Sequence, residues 1–190
     1  LLTTHYRSPI NFSDVALSEA ESRLRYLCET QSRLEAALEG KDSSSEGNFR
    51  EDWVGTIMER FDEVMSDDFN TAKALGDLSD VFKLVNEVLD KPADEAMDLR
   101  TLGAIQSALA EIGKVLGVFL ENPNEVLERI ASRRQAESGV DPAAIEQLIE
   151  DRVAARQEKN FQRADEIRDE LAAMGVVLKD QGGQTTWELA

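Results

Sequence analysis

The chain has 190 residues, 42% of them hydrophobic, and its 38 acidic against 21 basic side chains give a formal charge of −17. Its length suits one ordinary domain or two small ones, and the apolar share is enough for packed cores, which excludes wholesale disorder. No apolar run approaches the ~20 residues of a membrane helix, the single cysteine Cys28 excludes an internal disulfide or thiolate-zinc framework, and the acidic balance excludes nucleic-acid binding through bulk positive charge. Residues 1–13 carry no secretion signal, and the opening Leu-Leu-Thr-Thr-His suggests a start inside something longer. A soluble, cytoplasmic protein is therefore expected.

Ser13 is a suitable N-cap, and Leu17, Ala20, Leu24, Leu27, Gln31, Leu34 and Leu38 recur behind it at steps of three and four. That spacing predicts a long helix stopped by Gly40. Residues 40–48 form a polar loop. A second helix is expected to carry Phe49, Trp53, Ile57, Phe61 and Val64 until Ser66-Asp67-Asp68 breaks it. Asn70-Thr71 caps a third, striped by Leu75, Leu78, Val81, Phe82, Val85 and Leu89. Pro92 fits the first position of a fourth, which carries Met97, Leu102, Ile105, Leu109, Ile112 and Leu116 and stops before Asn122-Pro123. Four such helices with short connections predict an antiparallel bundle over 14–122, with 1–13 as a lead-in.

Residues 123–140 are charged and end in Glu137-Ser138-Gly139, so a linker is expected there. Asp141-Pro142 opens a further helix with Ile145, Leu148, Ile149 and Val153 apolar. Asn160 caps the next, with Phe161, Ala164, Ile167 and Leu171 inward and Gly175 as its stop. The period then changes to two: Val176–Asp180, a Gln181–Gln184 turn and Thr185–Leu189 predict a β-hairpin. The fold class is thus mainly α, a helical bundle followed by a small α+β module of two helices and a hairpin over 141–190.

Catalytic signals are thin. His5 has no cysteine or serine arranged around it, Asp67-Asp68 lacks a third metal ligand, and no glycine loop is built to cradle phosphate. The module offers more. It holds 11 acidic and 6 basic residues, and five of the latter fall between Arg152 and Arg168. Arg152, Arg156, Lys159 and Arg163 follow at steps of four, three and four, so one helix would carry them as a basic stripe, with Phe161 and Asp165 beside it. Guanidinium groups, a stacking ring and an accepting carboxylate are suited to reading splayed-out RNA bases. The competing assignment makes Phe161 core and pairs the arginines with Glu158, Asp165 and Asp169.

Three blocks carry a resemblance: His5-Tyr6-Arg7-Ser8-Pro9-Ile10-Asn11-Phe12-Ser13, Met65-Ser66-Asp67-Asp68-Phe69-Asn70-Thr71-Ala72, and Arg156 to Asp165 followed by Gly175–Asp180 and Thr185-Thr186-Trp187. In this order they resemble bacterial cysteinyl-tRNA synthetase, a class I enzyme, over nearly the whole chain except the 40–48 loop and the 124–140 stretch. The resemblance implies a DALR-type bundle and a C-terminal anticodon-binding module that begin after the signature lysine loop of the catalytic domain. That domain, with its ATP site and zinc ligands, would lie outside this chain, so the isolated chain is expected to be inactive. The implied partners are tRNA(Cys) and the catalytic domain of the same enzyme, with no membrane. The implied anticodon-reading residues are Arg156, Phe161, Asp165 and Asp180; the ring position can be Trp in relatives. Lys159 and Arg152 are added as phosphate contacts on physical grounds. Trp187 is expected to support the hairpin. The ending Trp187-Glu188-Leu189-Ala190 departs from relatives with basic residues there. Two other functions remain open: a standalone RNA-binding or assembly protein derived from this half, and the related ligase joining cysteine to an amino sugar, against which an anticodon module counts.

Overall fold

The computed structural model describes residues 2–43, 47–139, 141–181 and 184–189. It is mainly helical: α1 (Asp14–Leu38), α2 (Ile57–Ser66), α3 (Thr71–Asp90), α4 (Glu95–Leu116), α5 (Pro123–Ser138), α6 (Pro142–Gln157) and α7 (Phe161–Ala173) precede a two-stranded antiparallel sheet, β1 (Val176–Gln181) with β2 (Gln184–Leu189). The chain divides into two compact units, Leu1–Leu127 and Glu128–Ala190.

In the first unit the local signals place the helices. Ser13 Oγ accepts from Ala16 N at 3.3 Å, and Asn70 Oδ1 accepts from Lys73 N at 3.1 Å, each satisfying a donor that the first turn leaves without a helical partner. Two expectations are corrected. Phe49 precedes the second helix and Trp53 lies in a short 3-10 segment, Asp52–Thr56; the α-helix starts only at Ile57. Pro92 lies ahead of α4, whose cap is Asp94, a carboxylate accepting from Met97 N at 2.8 Å. The same helix ends at Leu116, before Asn122 as expected, because Gly117 adopts φ +69° and its N–H turns back to the Gly113 carbonyl at 2.8 Å.

The core of this unit is the predicted one. Phe82, Val85, Ile105 and Ile112 are fully buried at its centre, with α1 packed on α3 and α4, and α2 packed on the same pair. Along α1 the predicted stripe buries side chains only toward its C-terminal end: Leu34 and Leu38 are buried, as is Cys28, while Leu17 and Leu24 are exposed. One ion pair is deeply placed. Arg50 Nε donates to Asp98 Oδ1 at 2.5 Å, and Asp98 Oδ2 accepts from Ala93 N at 2.9 Å, which fastens the end of the 40–50 loop to the start of α4.

The α2–α3 turn is strained. Asp68 (φ +58°) and Phe69 (φ +52°) are both left-handed, a conformation that costs about 1–2 kcal/mol per non-glycine residue. The stretch expected as a linker contains α5, since Asn124 to Glu137 has no internal Gly or Pro and is rich in Glu, Arg, Leu and Ala, all good helix formers. Ser32 Oγ of α1 donates to Asn124 Oδ1 at 2.8 Å.

The second unit is built on a much smaller core. Ile145 of α6, Ile167 and Leu171 of α7, and Val176 of β1 are buried together, with Trp187 and Leu178 packed against them. Trp187 faces Leu178 across the ladder, so it supports the hairpin as expected.

Candidate nucleic-acid interface

The α6–α7 corner is where the chemistry of the second unit gathers. Asp141 caps α6 by accepting from Ala143 N at 3.0 Å, with Pro142 opening the first turn. α6 closes at Gln157. Lys159 then adopts φ +58°, and Asn160 N donates to the Ala155 carbonyl at 2.8 Å, the wrap normally made around a C-terminal glycine. The Asn160 side chain immediately caps α7, accepting from Arg163 N at 3.2 Å. Two helices are thus joined by three residues, and Phe161 becomes the first residue of α7.

This geometry corrects the single basic stripe. Arg152 and Arg156 belong to α6, Lys159 to the turn and Arg163 to α7, so no one helix carries all four. It also corrects which face of α6 is inward. Ile145, Arg152 and Ala155 are buried, whereas Val153, expected as apolar core, is 40% exposed. Position 152 lies seven residues from Ile145, close to two full turns, whereas 153 lies about 100° further round the helix. Arg152 is only 7% exposed, and its guanidinium Nη1 is itself buried, which places it away from the exposed face that a phosphate contact requires.

The packing assignment puts Phe161 on the inward face of α7. It is instead 62% exposed, while Ala164, Ile167 and Leu171 fill that face. Asp165 lies four residues on, one turn along the same side of the helix, and is exposed, as are Arg156 and Lys159. The expected pairing of Asp165 with an arginine is not made: Arg163 Nη1 instead meets Glu166 Oε2 at 3.4 Å, and among the described residues nothing pairs with the Asp165 carboxylate. Asp180 is opposite Thr185 in the hairpin ladder, and its side chain lies outside the described residues. The corner therefore sets out an aromatic face, an accepting carboxylate, a guanidinium and an ammonium at the N-terminus of α7, whose partial positive charge favours phosphate.

Among the described residues no group of three or more His, Cys, Asp and Glu side chains is placed to hold a metal ion. Among the same residues no helix is long and apolar enough to cross a membrane.

Comparison with known proteins agrees with the two-part layout. Residues 60–121 match the DALR domain, and residues 141–187 match the cysteinyl-tRNA ligase anticodon binding domain. The cysteine–tRNA ligases of Geobacter sulfurreducens and Geobacter metallireducens are each 41% identical to the chain over 192 residues. That of Anaeromyxobacter sp. is 39% identical over 189. These matches cover 99–100% of the chain but only 38–40% of each ligase. The chain spans about two-fifths of the length of the curated relatives it matches.

Proposed function

We propose that this chain, which belongs to the cysteinyl-tRNA ligase family through its DALR and anticodon-binding domains, is the tRNA-binding C-terminal region of a ligase that attaches cysteine to tRNA(Cys) with ATP. The observation that carries the reading to named side chains is the exposure of Phe161 at the start of α7, with Arg156, Lys159 and Asp165 exposed around it. An aromatic ring left in water at the head of a helix is available to stack on an unpaired base. Asp165, one turn further, accepts a hydrogen bond from a base amino group. Arg156 donates to base-edge acceptors, and Asp180 reads from β1. Lys159 meets the phosphate backbone, to which the head of α7 is also attractive. Arg152 positions α6 from within the module instead of touching RNA.

ATP and zinc belong, on this reading, to a catalytic part of the ligase outside this chain, in the cytoplasm, and the 190-residue chain alone does not activate cysteine. The acidic total of −17 makes isolated RNA binding modest and strongly salt-dependent, while leaving base selection to the corner residues.

The test is binding of wild-type and variant chains to tRNA(Cys) and to a one-base anticodon variant over a salt series. Asp165→Asn exchanges an acceptor for a donor at constant size and should erase about 1–3 kcal/mol of discrimination. Phe161→Ala should weaken both RNAs by a similar amount through lost stacking. Discrimination that survives Asp165→Asn in a folded chain, or binding that survives Phe161→Ala, rejects this interface.

A further inference from the structure

The lead-in segment is gathered at one carboxylate. Asp68 Oδ1 accepts from the Tyr6 hydroxyl at 2.7 Å and from Arg7 Nη2 at 2.9 Å, and Arg7 Nε donates to the Tyr6 oxygen at 2.9 Å. His5 Nε2 stands 3.7 Å from Asp68 Oδ2, with its ring stacked on Tyr6 at 4.9 Å. The Arg7 guanidinium lies 5.3 Å from the Tyr6 ring centroid. Thr71 Oγ1 donates to the Leu2 carbonyl at 3.1 Å. Three consecutive side chains thus converge on one residue of the α2–α3 turn, where the backbone is left-handed at both Asp68 and Phe69. The carboxylate that accepts the Tyr6 hydrogen bond pushes the phenol above its ordinary range, and the neighbouring Arg7 partly offsets this.

Stability does not account for this arrangement. Exposed ion pairs of this kind contribute little to folding. What two directed bonds to one carboxylate, tied to each other by the Arg7–Tyr6 bond, do well is fix direction. The segment so held and the turn that holds it leave large apolar groups in water: Phe12 is 77% exposed, Phe69 is 69% exposed, and Ile10 is exposed as well. About three-fifths of each matched ligase has no counterpart in this chain, so in those ligases a large body exists that could cover such a face.

We propose that Asp68 is a positioning residue that, through Tyr6 and Arg7, holds the lead-in segment against the α2–α3 turn so that Ile10, Phe12 and Phe69 seat the catalytic part of the ligase. This rests on the ligase reading above. The seat would set the catalytic part relative to bound tRNA, so its loss is felt when the acceptor end must reach the activated amino acid and not in cysteine activation itself. Misplacement of reacting groups by an ångström can cost a large factor in rate while leaving binding intact.

Two experiments decide it. In the ligase formed by this chain continued with its natural catalytic part, Asp68→Ala and Phe12→Ser should each lower kcat for tRNA charging about tenfold. Cysteine-dependent ATP–pyrophosphate exchange and the KM for tRNA should stay within about twofold, and Asp68→Asn, which keeps an acceptor for Tyr6, should recover part of the loss. In the 190-residue chain alone, trypsin should cut after Arg7 about tenfold faster in Asp68→Ala than in wild type, with the unfolding midpoint unmoved and Phe12→Ser without effect on that cut. Charging unchanged in both variants, exchange falling in parallel with charging, or Phe12-dependent self-association of the chain overturns the proposal. A wild-type ligase that charges no tRNA(Cys) overturns the ligase reading instead, and unchanged cutting at Arg7 overturns the clasp by itself.

Discussion

The end of α4 and the end of α6 ask the same thing of the backbone and are made from different residues. After α4 the left-handed position is Gly117, φ +69°; after α6 it is Lys159, φ +58°. Glycine adopts this conformation freely, whereas a residue with a Cβ meets the following carbonyl oxygen. The contrast recurs elsewhere. Gly40 and Gly175 end α1 and α7 in the ordinary way, while Asp68, Phe69 and Phe119 are left-handed side-chain-bearing residues in the first unit. Where strain is retained, the side chain should supply something that glycine cannot. For Phe119 the return is packing, since its ring lies 5.6 Å from that of Phe82. For Asp68 it is the hold on Tyr6 and Arg7. Lys159 is exposed, and on the proposed function its return is the contact its ammonium makes with RNA phosphate.

The sharpest way to break this comparison is at Phe119. Phe119→Gly relieves the backbone but removes a half-buried ring from the core, and lost burial plus the cavity should outweigh the relief by about 2 kcal/mol. Urea unfolding of the whole chain reads this directly. An unchanged or raised midpoint would mean that packing does not explain the strained residues. Gly117→Ala makes the converse test. A Cβ at Gly117 meets nothing within 4 Å, so the substitution isolates conformational cost and should destabilise the first unit by about 1 kcal/mol. If it is neutral, strain at the other left-handed positions carries no meaning.

Features that follow from a few neighbouring residues are legible in the amino-acid sequence: the caps Ser13, Asn70, Asp141 and Asn160, the stops Gly40 and Gly175, and the change of period at Val176. Features that depend on competition between neighbours are not. Pro92 and Asp94 both signal a helix start, and the carboxylate that can accept from Met97 N decides it. Arg152 and Val153 compete for one inward position, and helical phase puts the arginine inside. Phe161 is a poorer case for pattern reasoning, since an aromatic at the first position of an amphipathic helix belongs equally well to core or surface; its place among the basic residues suggests a stacking ring and the resemblance favours that reading, but the helical pattern alone does not decide it. The Asp68 hub is beyond the reach of local pattern because its partners are 61 and 62 residues away, although both blocks that form it are conspicuous as motifs.

The smallest effect on folding should be the most informative about function. Lys159→Gly places the residue the backbone prefers at φ +58° and keeps the Asn160 N to Ala155 carbonyl bond that closes the corner. Removing the Cβ strain favours the folded state by about 1–2 kcal/mol, and the greater freedom of glycine in the unfolded chain returns about 0.5–1 kcal/mol of that. The second unit should therefore gain up to about 1.5 kcal/mol, measurable as a higher denaturant midpoint. The same change removes an ammonium beside the head of α7, so binding to tRNA(Cys) and to its anticodon variant should weaken alike, with a salt slope flatter by about one unit. Stability and binding would then move in opposite directions at one residue. Lys159→Ala separates the two effects: it keeps the strain, so it should match the glycine variant in RNA binding and fall short of it in stability. A Lys159→Gly chain that is more stable and binds RNA as before would show that the strain at this corner is incidental, and would remove Lys159 from the interface.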